Sequence, residues 1–216
     1  MISNNLKKRT FTSILLLSLV FLIFNFNPVL IYSLIILGVL SILEFLQLTK
    51  KMIKGLFFYI MLNLIFIIFI LSFCFTFYFF SNITGLKFIL FIILMGCISS
   101  DIGGYFFGKI LKGPKLTKIS PNKTISGAVG SIISTTMVCS LLFFYFLGNL
   151  SIKFLVVACM TSIFCQIGDL LFSFLKRKSK MKDTGNFLPG HGGVLDRIDG
   201  ILLGIPFGFI TLIFLN

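Results

Sequence analysis

Residues 56–80 read LFFYIMLNLIFIIFILSFCFTFYFF, which is 25 consecutive residues without a charged side chain. This run is long enough to cross a hydrocarbon layer of ~30 Å, because a helical span takes about 20 apolar residues. Lipid offers no partner for a free backbone N–H or C=O, so a segment of this kind must satisfy its own hydrogen bonds as a helix. The run also lacks the alternation of apolar and polar residues that is typical of a membrane barrel strand.

Similar runs continue along the chain. Of the 216 residues, 57% are hydrophobic and 29 are Phe, whereas soluble domains are about 45–50% apolar even when Gly is included. We therefore predict an all-α fold, a polytopic transmembrane helical bundle that forms a single integral membrane domain over residues 1–216. The seven predicted spans are about 10–25, 29–48, 56–80, 88–108, 124–147, 154–175 and 194–215.

The fourth predicted span is the least regular. Its apolar core ends at Ile98, and Ser99-Ser100-Asp101-Ile102-Gly103-Gly104 then interrupts it. Irregular backbone at membrane depth is tolerated only where protein or water covers it. We predict a broken or tilted helix, a helix whose cytoplasmic half lines a polar cavity, or a re-entrant segment.

The net charge of +13 is explained by topology rather than by nucleic-acid binding. Cytoplasmic loops of membrane proteins carry an excess of Lys and Arg. If the N-terminus is cytoplasmic, 16 of the 19 basic residues fall on the cytoplasmic side, Lys87 and Lys153 fall on the opposite side, and Arg197 lies at the entrance to the last span. The 16 are Lys7, Lys8, Arg9, Lys50, Lys51, Lys54, Lys109, Lys112, Lys115, Lys118, Lys123, Lys176, Arg177, Lys178, Lys180 and Lys182. We predict a multi-pass protein of the cell (inner) membrane with a cytoplasmic N-terminus and no nucleic-acid partner.

The first span and the cysteines indicate neither a cleaved signal peptide nor a disulfide or zinc site. The first span lacks a small-residue cleavage site, so we expect it to be retained and not removed as a signal peptide. The five cysteines all fall inside hydrophobic segments and form no CxxC pair. We interpret them as apolar packing residues, not as disulfides or zinc ligands.

Acidic residues are scarce and unevenly placed. Residues 1–98 contain one acid, Glu44, and residues 99–200 contain five. We interpret residues 1–98 as hydrophobic scaffold helices and residues 99–216 as the catalytic half. Glu44 lies near a predicted cytoplasmic helix end, which favours a solvated cap or a partner of Lys50 or Lys51. The densest group falls within 31 residues together with the single histidine of the chain, and consists of Asp169, Asp183, Asp196, Asp199 and His191.

The last of these stretches predicts a metal and anion site. Asp196 and Asp199 are three residues apart at the start of the final predicted helix, so their carboxylates should share a face. The preceding Pro189-Gly190-His191-Gly192-Gly193 permits positive φ or a close backbone approach, and amides at a helix start favour anions. Acids that complement the helix dipole would explain one aspartate, but not this combination.

A second group lies on the sixth predicted span. Gln166, Asp169 and Ser173 are spaced i, i+3 and i+7 and should project from one face. Asp169 lies inside the predicted span, where an ionisable group costs about 2.5–3.5 kcal/mol and usually marks a site. The alternative is a hydrogen bond that packs two helices together.

Three other features are ambiguous when taken alone. Ile119-Ser120-Pro121-Asn122-Lys123-Thr124 offers hydroxyl, amide and ammonium groups for phosphate, but it is also an ordinary helix entry. Asp101, which precedes Gly103-Gly104-Tyr105, is equally ambiguous. Lys176-Arg177 fits either a topology signal or a substrate contact.

Carboxylates that suit a divalent cation, combined with basic groups that suit phosphate, indicate phosphoryl or nucleotidyl transfer to or from a lipid at the cytoplasmic membrane boundary. Magnesium is commonly held by one or two carboxylates while substrate phosphates fill other positions. Such catalysis consists mainly of positioning and charge neutralisation.

These motifs resemble those of the phosphatidate cytidylyltransferase (CDP-diacylglycerol synthase) family. The C-terminal motif is matched by Ser173-Phe174-Leu175-Lys176-Arg177, Lys182-Asp183 and Pro189-Gly190-His191-Gly192-Gly193-Val194-Leu195-Asp196-Arg197-Ile198-Asp199. Upstream matches are Leu6-Lys7-Lys8-Arg9, Ser120-Pro121-Asn122-Lys123-Thr124 with Gly127, and Gln166-Ile167-Gly168-Asp169. The chain departs from the family at Phe172, where an acid is frequent, and at Ile125-Ser126, where Trp-Glu is common.

The resemblance implies that a phosphate oxygen of phosphatidate attacks the α-phosphorus of CTP, giving CDP-diacylglycerol and pyrophosphate. The implied partners are CTP, phosphatidate and membrane lipids, with Mg²⁺ as cofactor; a second, monovalent cation and a homodimer stay open. The expected catalytic residues are Asp169, Asp196, Asp199, His191, Arg197 and Lys182, with the three aspartates as metal ligands. The expected substrate-binding residues are Ser120, Lys123, Thr124, Ser173, Lys176, Arg177, Gly192 and Gly193. The alternatives are a CTP-dependent kinase of a lipid alcohol such as polyprenol or phytol, and a basic lipid-binding scaffold or transporter.

Overall fold

A computed structural model describes residues 15, 18–117, 119–148, 151–185, 187 and 192–215. Residues 18–25 are helical. The helices that follow are α1 Asn27–Met52, α2 Leu56–Asn82, α3 Thr84–Leu111, α4 Ile125–Leu147, α5 Ile152–Lys178, α6 Leu195–Ile198 and α7 Ile201–Phe214. Lys115 and Thr124 form an isolated antiparallel bridge.

The all-helical, multi-pass architecture predicted from the apolar runs is confirmed. Helices α1 to α5, together with the segment Leu195–Phe214 that comprises α6 and α7, are each long and apolar enough to cross a membrane. These six segments correspond to the last six predicted spans. The first predicted span, 10–25, lies largely outside the described residues. The chain is therefore a multi-pass membrane protein.

Of the alternatives for the fourth span, the broken helix is wrong, because α3 is a continuous helix; the tilted, cavity-lining and re-entrant alternatives stay predictions. The polar side chains of residues 99 and 100 form hydrogen bonds within the helical structure. The hydroxyl of Ser99 donates to the carbonyl of Gly96 at 2.9 Å, and Ser100 Oγ lies 3.0 Å from Ser162 Oγ. Gly104 lets α4 approach closely, since a Cβ there would lie 2.6 Å from Ser131 Oγ. The small residues thus pack helices together and leave the backbone regular.

The last span contains the interruption instead. Helix α6 ends at Ile198, a turn at Asp199 and Gly200 follows, and α7 begins at Ile201. The turn packs tightly against α5, because a Cβ on Gly200 would lie 2.6 Å from Cys165 Sγ. The prediction of one continuous helix that carries both Asp196 and Asp199 is therefore wrong, since Asp199 lies beyond the end of α6. The common face of their carboxylates stays a prediction.

The chain divides into two compact units. The first comprises Met1–Phe79 with Leu175–Ile198, and the second comprises Phe80–Phe174 with Asp199–Asn216. In the first unit, α1 and α2 are joined by a stack of Phe45 on Phe66, with ring centroids 3.7 Å apart, and by a hydrogen bond of 2.9 Å from Thr49 Oγ1 to Asn63 Oδ1. The predicted single domain, with its division at residue 98, stays a prediction.

The second unit is built on the packing of α3 against α4, and α3 also contacts α7. Its core contains the buried residues Ile92, Cys139, Phe143 and Ala158. Hydroxyl groups on α4 bind carbonyls of α3: Ser131 Oγ donates to Ser100 O at 2.8 Å and Thr135 Oγ1 donates to Gly96 O at 3.2 Å. This packing holds the start of α4 and the face of α5 that carry the predicted site residues.

Candidate active site

The loop between α3 and α4 presents Lys123 to Asp169 of α5, within the second unit. The amide of Leu116 donates to the carbonyl of Lys123 at 2.8 Å, and the amide of Lys123 donates to the carbonyl of Ser120 at 3.1 Å. These bonds hold the loop in a turn. The ammonium of Lys123 forms an ion pair with Asp169 Oδ2, and the two side chains keep 26% and 30% of their surface exposed.

The surroundings of Asp169 confirm that Gln166, Asp169 and Ser173 share a helix face. Ser173 Oγ donates to Asp169 Oδ1 at 3.3 Å. Gln166 Nε2 donates to the carbonyl of Ala128 on α4 at 3.2 Å, which ties α5 to α4. Thr124 caps α4, since its hydroxyl oxygen accepts from the amide of Gly127 at 3.1 Å. The 120–124 and 166–173 motifs therefore come together.

The turn at Asp199 joins this assembly within the same unit. A Cβ on Gly168 would lie 2.5 Å from the carbonyl oxygen of Asp199, so glycine is required next to Asp169. Asp199 is only 8% exposed, and its Oδ1 accepts from the amide of Gly200 at 2.9 Å. Gly168 of the Gln-x-Gly-Asp motif thus allows the backbone at Asp199, which belongs to the C-terminal motif, to pack against α5.

A second lysine–aspartate pair lies in the first unit. Lys176 Nζ donates to Asp196 Oδ1 at 2.7 Å, and the side chains are only 13% and 5% exposed. Asp196 Oδ2 accepts from the amides of Thr184 and Gly193 at 2.8 and 3.0 Å. Both oxygens of Asp196 therefore have protein donors. The sequence left two interpretations open for Lys176, a topology signal or a substrate contact. The structure adds a third role, because Lys176 is the partner of Asp196.

Glu44 is the functional candidate that the sequence did not reveal. It is fully buried on α1 and accepts hydrogen bonds from Thr184 Oγ1 and from the amides of Val194 and Leu195. The prediction of a solvated cap or a partner of Lys50 or Lys51 is therefore wrong, because the segment after α5 covers the carboxylate. One signal was present, since a lone acid in an apolar span is costly and calls for a specific partner.

The glycine pair before α6 is used as predicted for its backbone. Gly192 has a φ of +83°, a conformation that other residues adopt only with strain. Gly193 is buried against Thr184 and Glu44. The amide of Gly193 donates to Asp196, and the next two amides donate to Glu44. These donors bind carboxylates of the chain itself.

Several of the remaining predicted residues lie at the surface. Arg177, Lys182 and Arg197 are exposed, as is Asp183. His191 lies outside the described residues, together with Pro189 and Gly190. At the two departures from the family motifs, Phe172 is 4% exposed and Ser126 Oγ lies 3.0 Å from Thr124 Oγ1. The roles of these residues in binding or catalysis stay predictions.

Carboxylates are the ligands that magnesium prefers, but Asp169, Asp196 and Asp199 each accept from protein donors. Among the residues that the structure describes, no group of three or more acidic, histidine or cysteine side chains converges as a metal site. Asp196 is bound at both oxygens, and Asp169 is paired with Lys123. The described residues do not by themselves assemble a metal site, so further oxygen ligands would have to come from substrate or water.

Comparison with known proteins places these motifs in a family. A phosphatidate cytidylyltransferase of Staphylococcus haemolyticus (strain JCSC1435) is 40% identical over 141 residues, covering 64% of this chain and 54% of the relative. One of Bacillus subtilis (strain 168) is 43% identical over 118 residues, covering 53% and 43%. One of Rickettsia bellii (strain RML369-C) is 43% identical over 129 residues, covering 55% of each chain. The chain spans about half the length of the curated relatives it matches. Because the model of the cytidylyltransferase family matches residues 4–215, the chain belongs to that family.

Proposed function

We propose that this chain transfers a cytidylyl group from CTP to phosphatidate, giving CDP-diacylglycerol and pyrophosphate for phospholipid biosynthesis. The observation that carries the proposal is the partly exposed pair of Lys123 and Asp169, formed by two separate motifs. The relatives named phosphatidate cytidylyltransferases support the choice of substrates.

The reaction asks the protein mainly to bring two polyanions together. A phosphate oxygen of phosphatidate forms a bond to the α-phosphorus of CTP, the bond from that phosphorus to the β-phosphate oxygen breaks, and pyrophosphate leaves. Because the attacking oxygen is already an anion, no strong general base is needed. Positioning and neutralisation of charge therefore supply the catalysis.

Lys123 is suited to this task because its partner is not buried. An ion pair that is about a quarter exposed contributes little to folding, so its ammonium can exchange a carboxylate for a phosphate oxygen at low cost. Lys182, Arg177 and Arg197 are exposed and are the further proposed phosphate ligands. His191 is proposed for the same role from its motif.

Magnesium is the cofactor we propose, with Asp169, Asp196 and Asp199 as its carboxylates. The ion would offset phosphate charge when bound together with substrate. The test is a magnesium titration after chelation with EDTA, followed by activity and by CTP binding. Activity that survives complete chelation would remove the metal from the proposal.

We also propose a cytoplasmic N-terminus, supported by the distribution of 16 against two basic residues. In a variant without native cysteines, a cysteine at exposed Lys115 should react with an impermeant thiol reagent only after cells are opened. A cysteine at exposed Lys153 should react in intact cells. Labelling at position 115 in intact cells would reverse the orientation.

The decisive experiment follows the label of CTP into lipid. Purified protein in mixed micelles would receive phosphatidate with CTP labelled at either the α- or the γ-phosphate. We expect the α-label in lipid and release of pyrophosphate. Entry of the γ-label into an added lipid alcohol would support the kinase instead, and intact CTP with either acceptor would support a non-enzymatic role. Asp169→Asn serves as the matched inactive control.

A further inference from the structure

We propose that Glu44 is a positioning residue, which clamps the segment 184–195 and so fixes the geometry of the C-terminal motif. The inference rests on the proposed function, because that segment leads from Lys182 to Asp196. Glu44 is the single acid among the first 98 residues and is fully buried. It belongs to no motif that the resemblance identified.

Three donors converge on the carboxylate from two ends of the segment. Thr184 Oγ1 donates to Oε2 at 2.8 Å. The amide of Leu195 donates to the same oxygen at 2.8 Å, and the amide of Val194 donates to Oε1 at 2.9 Å. One side chain on α1 therefore binds residues that are eleven positions apart in sequence.

The packing around the carboxylate is equally specific. A Cβ on Gly185 would lie 2.6 Å from Glu44 Oε1, and a Cβ on Gly193 would collide with Thr184 Oγ1 and Glu44 Oε2. A side chain at Gly185 would displace Glu44, and one at Gly193 would displace both Thr184 and Glu44. Residues 184–185 and 193–195 therefore pack directly against the carboxylate, in addition to their hydrogen bonds.

Glu44 and Asp196 divide the donors of the segment between them. Thr184 gives its amide to Asp196 and its hydroxyl to Glu44. At the other end, the amide of Gly193 donates to Asp196 and those of Val194 and Leu195 donate to Glu44. Loss of Glu44 would therefore remove the bonds made by the Thr184 hydroxyl and by the amides of Val194 and Leu195, while the amides of Thr184 and Gly193 would still be held by Asp196. The intervening sequence contains His191 of the motif.

The test is Glu44→Gln, which keeps the size of the side chain. The amide oxygen can still accept from Thr184 and Leu195, but the NH₂ group then faces the amide of Val194, and one buried donor loses its acceptor. Hydrogen bonds to charged groups are strong enough that we expect kcat to fall about 10-fold or more. We expect the KM for CTP to change less than about 3-fold. Amide exchange at Val194 and Leu195 should rise.

Thr49→Val is the matched control. Thr49 is also fully buried on α1, and its hydroxyl lies 2.9 Å from Asn63 Oδ1, away from the segment. This variant should lose thermal stability without losing turnover per folded molecule. Equal turnover in Glu44→Gln, Thr49→Val and the unmodified chain would overturn the proposal, even if exchange at Val194 rises, because Glu44 would then be only structural.

A second variant covers the case in which Glu44→Gln does not fold. Thr184→Val removes one of the three donors, and we expect the same pattern with a smaller loss of turnover. Unchanged amide exchange at Val194 and Leu195 in Glu44→Gln would also overturn the proposal. The exchange experiment needs no substrate, so failure of the unmodified chain to use CTP would reject the proposed function without affecting the test of the clamp.

Discussion

Two lysine–aspartate pairs among the described residues differ in how completely the protein surrounds them. The pair of Lys176 and Asp196 is 13% and 5% exposed, and two backbone amides complete the carboxylate. The pair of Lys123 and Asp169 is 26% and 30% exposed, and a hydroxyl of the same helix is an additional donor. One pair is enclosed by the fold, and the other faces outward.

This difference determines how readily each lysine can leave its aspartate. Removing one partner of a buried ion pair is strongly destabilising, because the other charge is left without compensation. A more exposed pair contributes little to folding. We therefore expect that Lys123 can exchange Asp169 for a ligand, whereas Lys176 and Asp196 hold the residues that lead to α6. The predictions below test this division, beginning with the largest effect.

Asp196→Asn should have the largest effect, on stability as well as turnover. The ammonium of Lys176 would stay buried without its carboxylate, which should lower the free energy of unfolding by about 3–5 kcal/mol. Unfolding can be followed with a thiol-reactive dye, because the five cysteines are buried or partly buried. The double variant Lys176→Met/Asp196→Asn should recover part of the loss. A single variant as stable as the unmodified chain would contradict the enclosed pair.

Asp169→Asn should remove activity while leaving the fold intact. We expect turnover to fall by about 100- to 1000-fold, as for the loss of one group that stabilises charge in a transition state. The free energy of unfolding should change by less than about 1 kcal/mol, because the pair is partly exposed. Labelled product formation and thermal unfolding would be measured on the same preparation. Near-normal turnover at saturating magnesium would remove Asp169 from the site.

Lys123→Gln should weaken the use of CTP. A charge-assisted contact to phosphate is worth about 1.5–3 kcal/mol, so kcat/KM for CTP should fall roughly 10- to 150-fold. Lys115→Gln is the control, because Lys115 is an exposed lysine of the same loop. Equal, small effects of the two substitutions would show that the lysines of this loop serve only as a topology signal.

Gly192→Ala should have the smallest effect of the four. A left-handed backbone costs a residue other than glycine about 1–2 kcal/mol, and the added methyl would lie 3.1 Å from Asp196 Oδ2. Gly148→Ala is the control, since Gly148 has a φ of +67° and open space around it. Both variants should lose similar stability, but only Gly192→Ala should lose turnover. Equal turnover of the two variants would show that the backbone conformation at Gly192 does not contribute to activity.

The spans were predictable because hydropathy alone determines where a membrane helix can lie. The predicted 56–80 and 124–147 compare with helices at Leu56–Asn82 and Ile125–Leu147. Hydropathy did not predict where a helix is continuous and where it is interrupted. Ser99 to Gly104 resembles a break but packs as helix, and the break occurs at Asp199, where α5 approaches through Gly168. Both outcomes depend on contacts between distant segments.

The site was predictable in its residues but not in their partners. Spacing placed Asp169 and Ser173 on one face, and their hydrogen bond follows. The attachment of Lys123 to Asp169 and of Lys176 to Asp196 joins residues 46 and 20 positions apart, which spacing cannot reveal. Glu44 was missed because its partners lie 140 and more residues further along the chain.

The most direct test of the account is an experimental structure with CTP bound. We predict that the ammonium of Lys123 leaves Asp169 and lies within hydrogen-bonding distance of a phosphate oxygen, while Lys176 stays on Asp196 at about the present 2.7 Å. A bound nucleotide with Lys123 still closed on Asp169, or with Lys176 drawn away from Asp196 to the phosphates, would contradict the division between the open and the enclosed pair.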